Sequence, residues 1–167
     1  MRGRLSLALI CACSITIAGN LPAQESGIAV GSSAPAVTVR DLDGKAVDLG
    51  QYIGKKPMLL EFWATWCELC EELLPRIRGA QAAYGSAVEF IGINVTVNQT
   101  PARVRRYLQE HQPPFRTLYD DEGTSIRAYQ VPATSYVVII DRAGKVAYTG
   151  SGGAQDLDTP LRRVTRK

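Results

Sequence analysis

The polar and apolar positions of the chain follow two periods, and the change from one to the other falls at a single place. Met58-Leu59-Leu60-Glu61-Phe62-Trp63 is an almost unbroken apolar run behind the loop Gly54-Lys55-Lys56-Pro57, and it predicts a buried strand. After it the period lengthens. Cys70, Leu73, Leu74 and Ile77 recur at i, i+3, i+4 and i+7, one face of an amphipathic helix that runs to about Tyr84 and ends at Gly85. Pro75 lies inside that helix and predicts a kink or a shifted hydrogen bond.

Other elements follow the same two periods. Ala34 to Val39 and Ala46 to Leu49 read as strands around the turn Asp41-Leu42-Asp43-Gly44-Lys45. Val88 to Val95 is a strand. Ala102 to His111 is a helix with Val104, Tyr107 and Leu108 inward and Arg103, Arg105 and Arg106 outward. Phe115 to Leu118 is a short extended piece, Asp120-Asp121-Glu122-Gly123 a solvated acidic turn, and Thr124 to Tyr129 a short helix. Ser135 to Ile140 is a buried strand, and Lys145 to Thr149 returns antiparallel after the turn at Asp141–Gly144. Gly150-Ser151-Gly152-Gly153 reads as a flexible loop. Thr159-Pro160 fits the cap and first position of a last helix with a basic end, Arg162 to Lys167.

The period change carries two cysteines, Cys67 and Cys70, three residues apart. Cys67 falls at the helix N-terminus, where free N–H groups and the helix dipole favour the thiolate. Cys70 falls one turn deeper, on the apolar face. This setting makes Cys67 the sulfur that attacks a disulfide and Cys70 the one that resolves the mixed disulfide. A static disulfide or half of a zinc site are the other readings of this spacing. Zinc usually needs a second ligand pair, and the chain offers only Cys11, Cys13 and His111 besides. His111 follows a helix and precedes Pro113-Pro114, the setting of a surface residue at a helix C-terminus.

Trp63-Ala64-x-Trp66-Cys67-x-x-Cys70, with Pro75 five residues on, resembles the thioredoxin superfamily and within it the exported TlpA/ResA-like thiol–disulfide oxidoreductases. The resemblance extends from about Val30 to Val164. It implies a thioredoxin-like α/β fold, a central mixed β-sheet flanked by helices, with the Ala34–Leu49 hairpin as an N-terminal extension. It implies a redox-active Cys67–Cys70 disulfide and no other cofactor. Trp66, Glu68 and Leu69 would meet substrate, together with the loop before the Ser135 strand. In the family that loop carries a cis-proline. Matching Val-Pro-x-Thr gives this position to Pro132; counting from Tyr129 or from Asp141 gives it to Ser135, next to Thr134, and the chain then lacks the proline. A cis bond before a residue other than proline costs about 3 kcal/mol, so a trans peptide is expected at Thr134–Ser135.

Glu61 stands where the thioredoxin pattern has a buried carboxylate and the TlpA-like branch more often an amide. Buried, it has a raised pKa and takes the Cys70 proton during resolution; turned out at a strand edge, it does neither. Glu68, Glu71 and Glu72 surround the cysteines: near the sulfurs they oppose the thiolate and favour a reducing couple; turned into water they are screened and only suit the first turn of a helix. The family's partners imply protein disulfide substrates, apocytochrome c among them, and a membrane thiol as electron donor; a monomer is expected. Asn94-Val95-Thr96 and Asn98-Gln99-Thr100 match glycosylation acceptors, and the resemblance to a bacterial branch of the family discounts them.

Composition changes the picture in one respect. Of 167 residues, 46% are hydrophobic and 21% charged, ordinary for one globular domain. The net charge of +3 comes partly from Arg2 and Arg4 in residues 1–23, which hold no acid. The rest is close to neutral, which gives no support to a nucleic-acid partner. Residues 1–23 have a basic start, an apolar run from Leu5 to Ala18 and Leu21-Pro22-Ala23 before Gln24, the pattern of a cleaved secretory signal. An uncleaved anchor is the alternative, although the run is short of the about 20 residues a span needs. The domain plan is thus a leader over 1–23, a flexible lead-in over 24–33 and one domain over 34–167, on the extracytoplasmic side or in the periplasm, where disulfides persist. A thioredoxin-fold copper carrier using Cys67 and Cys70 is the alternative function. Ala64, where peroxiredoxins place threonine, speaks against a thiol peroxidase, and the chain has no room for an isomerase's dimerisation domain.

Overall fold

The computed structural model describes residues 27–166; the leader predicted over 1–23, with Cys11 and Cys13, lies outside the described residues. The described chain builds β1 (Thr38–Arg40), β2 (Ala46–Asp48), a 3-10 turn at Leu49–Gln51, β3 (Met58–Trp63), α1 (Glu68–Tyr84), β4 (Glu89–Val95), α2 (Pro101–His111), β5 (Arg116–Asp120), α3 (Thr124–Ala128), β6 (Tyr136–Ile140), β7 (Val146–Ser151) and α4 (Asp158–Thr165). Seven strands form one mixed sheet in the order β2-β1-β5-β4-β3-β6-β7. β3, β4 and β5 are parallel, and β6 runs antiparallel to β3. The N-terminal hairpin belongs to this sheet, because β1 also pairs with β5 at Arg40↔Tyr119. This is the thioredoxin-like architecture with its N-terminal β-hairpin.

β3 is the centre. All six of its residues are buried, and it is paired along its length by β4 and along five residues by β6. A strand enclosed on both edges and both faces reads as a continuous apolar run rather than an alternating one. Leu59, Glu61 and Trp63 point to one face, and Met58, Leu60 and Phe62 to the other. On the first face Leu59 packs with Leu73 and Ile77 of α1, Val137 and Ile139 of β6 and Leu161 of α4. On the second, Leu60 and Phe62 pack with Ile91, Ile93, Tyr129 and Tyr136. The crossovers through α1 and α2 step the same way along the sheet, so right-handedness places both helices on the Glu61 face. The Arg78 guanidinium of α1 joins them by donating to the carbonyls of His111 and Gln112.

Four local expectations change. The lead-in is docked from Gly27 onward: Ile28 is buried, its N–H donates to the Tyr129 carbonyl, and Gly31 N and Ser32 O bond Val146. The Gly150–Gly153 stretch is no loose loop. Gly150 and Ser151 are in β7, and Gly152 N donates to the Ser135 carbonyl. Thr159-Pro160 falls inside the first turn of α4, where Asp156 Oδ1 accepts from Asp158 N and Thr159 N. α1, by contrast, runs through Pro75 to Tyr84 as expected.

The acidic turn is the fourth. Asp121 and Glu122 are solvated or half-exposed, but Asp120 is 1% exposed. Its carboxylate accepts from Thr124 N, Ser125 N, Ser125 Oγ and Ile126 N at 2.6–3.0 Å, satisfying the free end of α3. Asp120→Ala leaves these donors without a partner and is expected to lower the unfolding free energy by about 2–3 kcal/mol, measured by urea denaturation of the oxidised protein. Asp120→Asn, which keeps one acceptor, should fall between. An unchanged midpoint for both variants would show that water replaces the carboxylate without loss.

Candidate active site

The end of β3 and the start of α1 place the cysteines. Cys67 is the N-cap of α1, with extended backbone (φ −91°, ψ 99°), and its Sγ accepts from Cys70 N at 3.1 Å. The two sulfurs form a disulfide, with the Cα atoms 5.2 Å apart. Both cysteines are 4% exposed, so burial does not rank them. Position does. Only the Cys67 sulfur lies on the helix end, where free N–H groups and the dipole stabilise an anion.

Around the pair the surface is apolar. Trp66, Leu69 and Val97 are about half exposed or more, a small cluster of large apolar side chains open to solvent. Trp66 Nε1 donates to Val97 O at 2.8 Å, so the β4–α2 loop supports the indole. Glu68, Glu71 and Glu72 are exposed beside them.

Across from the pair lies Ser135. The register Phe62↔Tyr136 puts it just beyond the end of the β3–β6 ladder. It is fully buried, its Oγ donates to the Leu69 carbonyl at 3.2 Å, and its φ is +59°. Of the two candidate positions, Ser135 therefore meets the Cys67–Cys70 turn. Pro132 is exposed three residues upstream, and Thr134 is half-buried between them. No cis peptide occurs among the described residues.

Glu61 points inward, not out at an edge, and is 2% exposed. Its strand neighbours are Gly92 on β4 and Val137 on β6. Gly92 matters because it has no side chain: a Cβ there would lie 2.3 Å from the Phe115 ring. Phe115 thus covers the sheet next to Glu61 and also meets Trp63, with centroids 5.9 Å apart. No cation pairs with Glu61 among the described residues. Burial pushes its pKa up to about 8, the response of a carboxyl moved out of water without compensation. Tyr107 of α2 packs tilted against Trp63, and its hydroxyl pKa is pushed up to about 12, by burial first and then by the charges of Glu71 and Glu61, with Arg78 opposing.

Three residues that support the site do not stand out in the sequence pattern. Gln99 Oε1 accepts from Thr65 N at 3.1 Å and from Asn94 Nδ2 at 3.3 Å, and Asn94 Nδ2 also reaches Trp63 O. These buried amides hold the loop that leads to Cys67. Gln155 does the same from the other side, with Nε2 donating to the Ser135 carbonyl at 3.0 Å. The available signal for Asn94 was its place at the carboxyl end of the strand beside β3, where ligand sites of parallel sheets gather. His111 lies at the end of α2, stacked on Tyr107 with centroids 3.9 Å apart, and takes no part in the site. Among the described residues, no group of three or more His, Cys, Asp or Glu side chains is placed to hold a metal ion.

A Cys-x-x-Cys disulfide at the N-terminus of a helix, on a thioredoxin-like sheet, is the arrangement of a thiol–disulfide oxidoreductase. The chain belongs to the Redoxin family, whose sequence pattern matches residues 29–161. It is similar to the thiol-disulfide oxidoreductase ResA of Geobacillus thermodenitrificans, 30% identical over 98% of this chain and 94% of that one. It is also similar to ResA of Bacillus subtilis, 29% identical over 91% and 84%. The thioredoxin domain of a thiol-disulfide oxidoreductase from Bacteroides vulgatus superposes with a TM-score of 0.71 at 22% identity, covering 83% of this chain and 99% of that domain.

The Glu61 carboxyl makes a prediction that does not depend on turnover. Its folded pKa of about 8 lies above the unfolded value near 4.5. The folded state therefore holds a proton that the unfolded state has released between these values. Relative to Glu61→Gln, the protein should lose stability as pH rises from about 4.5 to about 8, by roughly 1.4 kcal/mol per pH unit. The two should run parallel below that window. Denaturant midpoints across pH 4–9 check this, and parallel curves throughout would mean that Glu61 is ionised in the folded protein.

Proposed function

We propose that the protein is an exported reductant of protein disulfides in which Cys67 attacks, Cys70 resolves and Glu61 carries the resolving proton. The observation that supports this most is the arrangement of β3: the strand that delivers Cys67 to a helix N-terminus also holds an unpaired, buried carboxyl on the face covered by α1. In the reduced protein the Cys67 thiolate attacks one sulfur of the substrate disulfide and the other leaves. The Cys70 thiol then passes its proton to the Glu61 carboxylate and attacks Cys67 Sγ. The Cys67–Cys70 bond forms, the second substrate sulfur leaves, and the proton goes with it. Two electrons have moved from the protein to the substrate.

Trp66, Glu68, Leu69, Thr134 and Ser135 face the substrate in this reading, with an extended polypeptide lying over the apolar surface. Pro132 stands off the pair. The reducing direction is supported by Glu68, Glu71 and Glu72, whose charge opposes the thiolate and destabilises the reduced form. Export is supported by the leader pattern of residues 1–23; no helix of the described residues is long and apolar enough to cross a membrane. An apocytochrome c disulfide as substrate and a membrane thiol as donor agree with a compartment that keeps cysteines oxidised.

Equilibration in graded thiol/disulfide buffers, read by the fluorescence of Trp66, is the test. A reversible two-electron transition below about −220 mV supports a reductant, and one near about −120 mV an oxidant. Cys70→Ser should accumulate a mixed disulfide with a peptide substrate, while Cys67→Ser should form none. The rate of resolution should rise with pH through about 8 and fall by about a hundredfold or more in Glu61→Gln; a rate that Glu61→Gln leaves unchanged removes the carboxyl from the mechanism.

A further inference from the structure

The segment between β7 and α4 has no assigned part in the redox site, yet it closes on the site through one buried amide. Gln155 is 7% exposed. Its Nε2 donates to the Ser135 carbonyl at 3.0 Å and to the Gly152 carbonyl at 2.7 Å, and its Oε1 accepts from the Tyr148 hydroxyl at 3.3 Å. Gly152 N donates to the same Ser135 carbonyl at 3.0 Å. Both acceptor positions of that carbonyl are therefore taken by this segment. Glycines give it the approach it needs. A Cβ on Gly150 would lie 2.2 Å from the Tyr148 hydroxyl and 2.6 Å from Gln155 Oε1, and one on Gly153 would lie 2.4 Å from the Glu72 carboxyl of α1.

Ser135 needs such support. Its left-handed backbone, φ +59°, is unfavourable for a residue with a Cβ. Held there, its hydroxyl reaches the Leu69 carbonyl at 3.2 Å, and Leu69 is one of the two residues between the cysteines, in the first turn of α1. Gln155, the Ser135 carbonyl, the Ser135 hydroxyl and the Leu69 carbonyl thus form one continuous connection from the far loop to the disulfide turn.

We propose that Gln155 is a positioning residue of the redox site, acting through Ser135 to hold the turn that joins Cys67 to Cys70. The inference rests on the redox activity of this pair and not on the direction in which it runs. Holding the turn keeps the Cys70 sulfur close to Cys67 and raises its effective concentration in ring closure. The held turn favours the disulfide over the dithiol, so loosening it makes the pair easier to reduce. One neutral hydrogen-bond connection corresponds to about twofold to tenfold in an equilibrium constant, or about 9–30 mV for a two-electron couple.

The test compares the wild-type protein, Gln155→Met, Ser135→Ala and the double variant in thiol/disulfide buffers, with urea stability measured in parallel. Each single variant should shift the equilibrium about twofold to tenfold toward the dithiol, and the double variant no further than Ser135→Ala. A merely structural glutamine would lower the urea midpoint in both backgrounds and leave the equilibrium where it was; that result overturns the proposal, as does an additive double variant. Should Gln155→Met fail to fold, Ser135→Ala decides alone, because an unchanged equilibrium there breaks the last link. A wild-type protein that shows no reversible transition would instead count against the redox reading itself.

Discussion

The pairing of β3 on both edges is the constraint on which the rest of the structure depends. Met58 to Trp63 pairs residue by residue with Glu89 to Asn94, and Met58 to Phe62 pairs with Ile140 to Tyr136. The register sets three things at once. The end of the strand sets where α1 starts, and so puts the Cys67 sulfur on a helix end. The opening of β6 sets Ser135 against the Cys67–Cys70 turn. The alternation along β3 sets Glu61 on the face that α1 covers. A slip of one residue would turn every side chain of the strand to the opposite face, moving the carboxyl away from the helix while leaving the strand as apolar as before. Sulfur, hydroxyl and carboxyl therefore share one structural origin.

Much of this was legible in the chain because it is local. The apolar run of β3 and the i, i+3, i+4, i+7 face of α1 are each contained in a short window, and the cysteines sit at their junction. Glu61 was legible for a related reason: an acid in the middle of an otherwise apolar strand is conspicuous, and its cost when buried implies a use. The Ser135 strand was visible too, as a β-branched run. What the run could not show was whether Pro132 or Ser135 meets the cysteines, since gap placement, not composition, separates the two. The β3–β6 register puts Tyr136 opposite Phe62, and the Ser135 hydroxyl there donates to the Leu69 carbonyl beside the cysteines.

The remainder was hidden because polar residues look alike in a sequence whether they face water or each other. Asp120, Asp121 and Glu122 form one acidic turn on paper, but only Asp120 is turned inward, onto the amides of Thr124, Ser125 and Ile126. Gly150 to Gly153 has the composition of a flexible loop; its glycines serve close approach instead, to Tyr148, Gln155 and Glu72. Asn94, Gln99 and Gln155 act over separations that no periodicity spans: Gln99 bonds Thr65 thirty-four residues away, and Gln155 bonds Ser135 twenty residues away. The lead-in from Gly27 is small and polar, and it is held by backbone bonds to Tyr129 and Val146 that side-chain patterns do not encode.

The acids near the cysteines divide by solvation rather than by distance along the chain. Glu68, Glu71 and Glu72 are exposed, so their effect on the thiolate passes through water and fades over a Debye length of about 8 Å at physiological salt. Glu61 is out of water, between Val137 and the Phe115-covered Gly92, and responds to the local environment instead. With a pKa of about 8 it is mostly protonated at neutral pH, and the fraction able to accept a proton grows as pH rises. The same rise removes stability, because the folded protein must then hold a bare charge in its central strand. Proton acceptance and stability thus draw on one group in opposite senses. A strand paired on both edges is the element best able to hold such a carboxyl in place, and β3 is where the chain carries it.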